Sequence, residues 1–192
     1  MTGTPPSSPR VALAERVAEL NDMVLFGELD DDEAARMADA IGALVADVPD
    51  RPAWWHADAP ELAYRTRSPF SGEENPRSPG LRIERLPGTE ASMRGRIELD
   101  KAFAGPPSAV HGGVLAGLLD ELVGAVAGAM ASDRVVVTAR LTVKYRKPTP
   151  LRTPLVLEAW PERRSTRRLV IGAECRAGTV RTATAEALMV IA

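Results

Sequence analysis

The sequence is short of the residues that most often announce a function. Cys175 is the only cysteine among 192 residues and there are two histidines, His56 and His111. One cysteine can form no intrachain disulfide and no thiolate metal cluster. No cluster of histidines or carboxylates has metal-ligand spacing, and no glycine loop resembles a nucleotide-phosphate cradle, so no metal and no cofactor are expected. An excess of one charge is also missing. The 24 Lys and Arg stand against 26 Asp and Glu, a net charge of −2, and nothing in that total points to nucleic acid or an anionic membrane. The first ten residues, MTGTPPSSPR, hold no apolar segment before a cleavage site. The longest apolar stretch, Val114 to Ala131, is interrupted by Asp120, Glu121 and three glycines. The expectation is a cytoplasmic protein with neither secretory signal nor membrane span.

What is present is a composition of 45% hydrophobic and 26% charged residues, enough for one globular domain with an extension. Residues 1–9, rich in Pro, Ser and Thr, read as a disordered tail. Residues 10–50 read as a helical extension. Val11, Ala14, Val17, Ala18 and Leu20 to Met23 fall at helical spacing, and a second helix begins on the acidic run Asp31 to Glu33. Residues 51–79 read as an irregular connector anchored by its aromatics, Trp54 and Trp55 among them, with no chemistry assigned to His56.

From residue 80 the period changes to two. LRIERL and SMRGRIELD form a hairpin about PGTE, KAFAGPPSAV is a loop, and a helix runs from about Gly112 to Ala131. Four strand-like segments follow. In the first, Val135, Val137, Ala139, Leu141, Val143 and Tyr145 share one face and Thr138, Arg140, Thr142 and Lys144 the other. Cys175 lies in the third and reads as a small buried apolar residue. The order β-β-α-β-β-β-β over residues 80–192, with one apolar helix wrapped by a curved antiparallel sheet, is the α+β hotdog arrangement.

The chemistry concentrates in AVHGGVLAGLLDE, residues 109–121. Leu115, Leu118, Leu119, Leu122, Val126 and Met130 form a broad apolar stripe for the sheet. Gly113, Gly117, Asp120, Gly124 and Gly128 form a second stripe whose one side chain is a carboxylate. That face can accept another backbone or a ligand at close range. The helix start offers N–H groups without intrahelical partners at the positive end of the dipole, and glycine leaves them open to a carbonyl oxygen gaining charge. His111 can orient this turn or donate to the same oxygen. A lone histidine beside glycines is more often structural; the glycine stripe, the isolated carboxylate and the strand order together favour a site. Seven residues separate Gly113 from Asp120, about 10 Å of helical rise. The two therefore cannot reach one carbonyl within a single chain, and an antiparallel partner helix would bring one chain's Asp120 beside the other's Gly113.

GPPSAVHGGVLAGLLDELVG followed by VVVTARLTVKYRKPTPL resembles the hotdog-fold acyl-CoA thioesterases. The likeness is closest to the branch of mammalian thioesterase superfamily member four and its actinobacterial relatives, and more distant to the phenylacetate-pathway thioesterase. The resemblance implies hydrolysis of an acyl-CoA thioester. Asp120 matches the family's carboxylate, as general base or nucleophile. Gly113, with Gly112, matches the oxyanion-hole position, His111 the family histidine, and Thr138 a threonine that positions water or substrate. Gly105 departs from related enzymes that carry Asn six residues before the histidine. Arg146, Lys147, Arg163, Arg164, Arg167 and Arg168, at strand ends, are the expected contacts for the CoA phosphates. A homodimer with shared sites is expected, with a dimer of dimers as the larger form. Hydrolysis of carrier-protein or polyketide-tethered thioesters, and binding of an acyl ligand without hydrolysis, stay open beside the acyl-CoA reading.

Overall fold

The computed structural model describes residues 8–50, 65–105, 108–131 and 134–191. The chain divides into two compact units, residues 1–68 with 73–77, and residues 69–72 with 78–192.

The first unit holds helices α1 (Pro9–Phe26) and α2 (Asp31–Ala46). Ser8 caps α1 by accepting the Val11 N–H, and Pro9 takes the first helical turn, where its missing N–H costs nothing. The expected tail of residues 1–9 is corrected at its end, because Ser8 and Pro9 belong to the helix start; residues 1–7 of that tail fall outside the described residues. Asp30 and Glu33 close a reciprocal capping box on α2. Of the connector, residues 51–64, with Trp54, Trp55 and His56, fall outside the described residues.

In the second unit six strands form one antiparallel sheet: β1 (Arg82–Arg85), β2 (Met93–Ile97), β5 (Val136–Tyr145), β6 (Leu155–Arg164), β7 (Arg168–Ala177) and β8 (Val180–Ile191), in the order β1-β2-β6-β7-β8-β5. The loop expected before the helix is more ordered than its prolines suggested. A 3-10 turn (Lys101–Phe103) leads into a small ladder of β3 (Ala104–Gly105) and β4 (Ala109–Val110).

Helix α3 (Gly112–Ala131) lies against the sheet. Its expected apolar stripe, Leu115, Leu118, Leu119, Leu122, Val126 and Met130, is buried throughout. The facing strands supply Leu155, Leu157 and Ala159, then Leu169, Ile171, Ala173 and Cys175, then Ala183, Ala185 and Ala187. Three alanines in register on β8 leave room for the leucines of the helix, which lets helix and sheet close to interior packing density. Each leucine so buried contributes about 1.5–3 kcal/mol by removal from water. α3 is long and apolar enough to cross a membrane by length and composition, but half of that stretch is buried inside the unit.

The face assignment on β5 is corrected by one residue. Thr138 pairs with Met189 and Arg140 with Leu188, so Ala139 is an extra residue without a partner, a β-bulge. The bulge shifts the alternation, because two residues on β5 oppose one on β8. Val136 and Thr138 before it, and Leu141, Val143 and Tyr145 after it, share the helix-facing side. Val137, expected on that side, points outward and is 51% exposed.

Candidate active site

α3 begins with a self-contained turn. The His111 N–H donates to the Phe103 carbonyl at 2.9 Å, and the His111 carbonyl accepts the Leu115 N–H at 3.1 Å. The imidazole folds back so that Nδ1 accepts the Gly113 N–H at 3.0 Å, a side-chain cap in the style of an N-terminal Ser or Asp. The Gly113 N–H, expected open for an oxyanion, is thus held by His111. With Nδ1 as acceptor, the proton of the neutral ring resides on Nε2, on an exposed side chain.

Two glycines here are required by close approach. A Cβ on Gly105 would stand 3.0 Å from His111 Cα, so the strand before the turn packs directly beneath the histidine. That is why the position six residues before His111 carries no side chain in this protein. A Cβ on Gly112 would meet the Tyr145 ring at 3.3 Å, and the Tyr145 hydroxyl donates to the Gly112 carbonyl at 2.7 Å. Tyr145 was legible only as the last apolar position of a strand. Its contact joins residues 33 apart, which periodicity does not reveal.

Two turns along α3, half-buried Asp120 receives a hydrogen bond from Thr138 Oγ1 at 3.0 Å, and the same hydroxyl lies 3.5 Å from Met189 Sδ. The bulge at Ala139 makes this pair possible, since uninterrupted alternation would turn Thr138 to the other side of the sheet. Asp120, Thr138, His111, Gly112 and Gly113 therefore lie along one side of α3, in two groups separated by two helical turns.

The six basic residues do not gather in one chain. Arg146 and Lys147 follow β5, where both their N–H groups donate to the Thr182 carbonyl, at the end of the sheet beside the start of α3. Arg163, Arg164, Arg167 and Arg168 flank the β6–β7 turn at the opposite end. Arg134, missing from the expected set, lies near that turn, with Nη2 3.4 Å from the Thr166 carbonyl. Arg164 is also 3.7 Å from Glu90. Cys175 is fully buried, and burial, above all, pushes its thiol up from the ordinary value, with a hydrogen bond to Thr182 opposing and the Glu174 charge adding to it. It has none of the electropositive exposure a nucleophilic cysteine needs. Among the described residues no group of three His, Cys, Asp or Glu side chains is placed to hold a metal ion.

A long central helix on an antiparallel sheet in this strand order defines a hotdog-fold protein. Residues 108–184, which contain Asp120, Thr138 and the whole helix start, match the family described as the thioesterase superfamily. A crystallised thioesterase superfamily protein is 27% identical, over 96% of this chain and 96% of that one, with a TM-score of 0.76. A coverage so nearly complete takes in the N-terminal helices. A phenylacetic acid degradation-related protein from Ralstonia eutropha JMP134 is 24% identical over 58% of this chain and 85% of that one, with a TM-score of 0.54. A hypothetical thioesterase protein from Streptococcus pneumoniae, solved with coenzyme A, is 16% identical over 69% of this chain and 94% of that one, with a TM-score of 0.56.

Proposed function

We propose that the protein hydrolyses acyl-CoA thioesters as a homodimer in which each site uses Asp120 of one chain and the start of α3 of the other. The carrying observation is the Thr138 hydroxyl held on Asp120 Oδ1. It fixes the carboxylate and leaves Oδ2 to act, either taking a proton from the attacking water or attacking the acyl carbon itself. In either case the carbon–sulfur bond breaks and CoA departs as the thiol. Single turnover in oxygen-18 water would label Asp120 in the second route only.

The oxyanion forms at the partner's helix start, with the Gly113 N–H as its donor. Nδ1 holds the Gly113 N–H in the structure, and the exposed ring can swing aside to pass that donor to the oxygen. Each such donor is worth about 3 kcal/mol in transition-state stabilisation.

Sharing is favoured by the separation of about 10 Å between Gly113 and Asp120 along the helix and by the edge of the sheet. β5 is the last strand in the order, and Val135, Val137 and Tyr145 on and beside it are more than half exposed. Antiparallel pairing of β5 with its copy about a two-fold axis continues the sheet and lays the two α3 helices antiparallel. It also reunites the basic residues. The end of the partner's β5, with Arg146 and Lys147, comes beside this chain's Arg134 and β6–β7 turn, a surface suited to the phosphates of CoA. CoA is the carrier of choice because fold relatives hold coenzyme A and acetyl-CoA.

Thiol release across short, long and aromatic acyl-CoAs tests the reading. Asp120→Asn should abolish hydrolysis and leave the dimer intact. Mixing Asp120→Asn with Gly113→Val, each inactive alone, should restore about a quarter of wild-type activity, since half the dimers are mixed and each has one intact site. A mixture that stays inactive would mean the site lies within one chain.

A further inference from the structure

We infer that Phe70 is the wall that closes the acyl end of this site and so sets the size of acyl group accepted. The inference rests on the hydrolase reading above. Gly117 lies midway between Gly113 and Asp120 on the glycine face of α3, and its missing side chain is replaced by the Phe70 ring. A Cβ on Gly117 would stand 2.0 Å from Cζ of that ring and 2.5 and 2.7 Å from its two Cε atoms. Gly124 and Gly128, on the same stripe, would meet nothing within 4 Å. The glycine face expected to admit a second backbone or a ligand is thus occupied by the chain itself at Gly113, where a Cβ would meet the His111 ring at 3.2 Å, and far more tightly at Gly117, the glycine beside the reactive carboxylate.

The ring is held there deliberately by its neighbours. The Phe70 carbonyl accepts the Leu81 N–H at 2.9 Å, and the hydroxyl of Ser71 donates to Glu121 Oε1 on α3 itself. Helix positions three apart carry Cβ atoms about 5–6 Å from each other, so the ring tip stands about that far from the Cβ of Asp120. Charge decides which half of the substrate meets it. From Asp120 toward the end of α3 the helix leads to Arg134 and the basic β6–β7 turn. The CoA half extends that way, and the acyl half is left to point back toward Gly117, where the phenyl ring stops it.

The test is a series of straight-chain acyl-CoAs assayed with wild type, Phe70→Ala, Phe70→Leu and Gly117→Ala. Removing the ring should raise the ratio of kcat/KM for a longer chain over a shorter one about tenfold for each two methylenes newly accommodated. Phe70→Leu, which keeps apolar packing if the alanine variant fails to fold, should give a smaller shift in the same direction. Gly117→Ala leaves Phe70 in the chain but evicts its ring, and should reproduce the shift. An unchanged chain-length profile in folded, dimeric variants would overturn the inference and leave the thioesterase reading standing, because wild type still turns over. No thiol release by wild type from any acyl-CoA would remove the reading and the inference with it.

Discussion

Thr138→Val keeps the shape of the side chain and removes the hydroxyl that holds Asp120. The valine stays on the helix-facing side of β5 with Val136 and Leu141, so stability should fall by no more than about 1.5 kcal/mol, the worth of an ordinary hydrogen bond. Activity should suffer more. A hydrogen bond to a charged group is worth about 1.5–3 kcal/mol, which converts to a loss of about 10- to 100-fold in kcat/KM. Deletion of Ala139 is the control. Ala139 is exposed and has no partner on β8, so its removal leaves a regular ladder in which Thr138 is still opposite Met189 and Arg140 opposite Leu188. Thr138 keeps its side of the sheet, and the deletion should cost far less activity than Thr138→Val. Thiol release read with an aromatic disulfide suits the measurement because the lone Cys175 is fully buried. A Thr138→Val variant that keeps the fold and hydrolyses at the wild-type rate would refute the role of the Asp120–Thr138 pair.

Two further predictions concern the frame around the site. Thr149 lies beside the residues that lead into α3, where its carbonyl accepts the Val110 N–H, and its buried hydroxyl has no hydrogen-bond partner among the described residues. Thr149→Val should therefore stabilise the protein by about 1 kcal/mol, and a lower urea midpoint would sink that account. Burial raises the Cys175 thiol, so the native state keeps its proton to higher pH than the unfolded chain does. The resulting stability is present in full below the unfolded thiol's pKa, about 8.5, and is lost as pH rises through the native value. Between pH 8 and 10 (roughly, bracketing that value), the urea midpoint of wild type should fall more steeply than that of Cys175→Ala. Parallel curves would show that the thiol is not the group responsible.

Local pattern was enough for much of this protein. A glycine pair after His111 and an unbroken helical stripe from Leu115 to Met130 marked α3, and its buried face followed from a period of 3.6 residues. Period-two alternation marked the six long strands, and the place of Cys175 in a buried strand followed from the same rule. The separation of Gly113 from Asp120 needed only the rise of a helix. Each of these depends on residues within about two turns of one another, and their physics is contained in the segment.

What the tertiary structure decided are the offsets between segments. Alternation alone put Thr138 on the wrong side of β5, because a bulge is set by register against β8 and leaves no mark in the strand's own composition. Six basic residues at strand ends read as contacts for the CoA phosphates, and the antiparallel strands carry Arg146 and Arg163 to opposite ends of the sheet. The connector's aromatics were visible, but only the folded chain shows Phe70 seated in the notch left by Gly117, 47 positions away in sequence. A helix or strand obeys its neighbours along the chain, whereas a site is a set of distances between segments, and those are settled only when the sheet has chosen its register and the helix has come down on it.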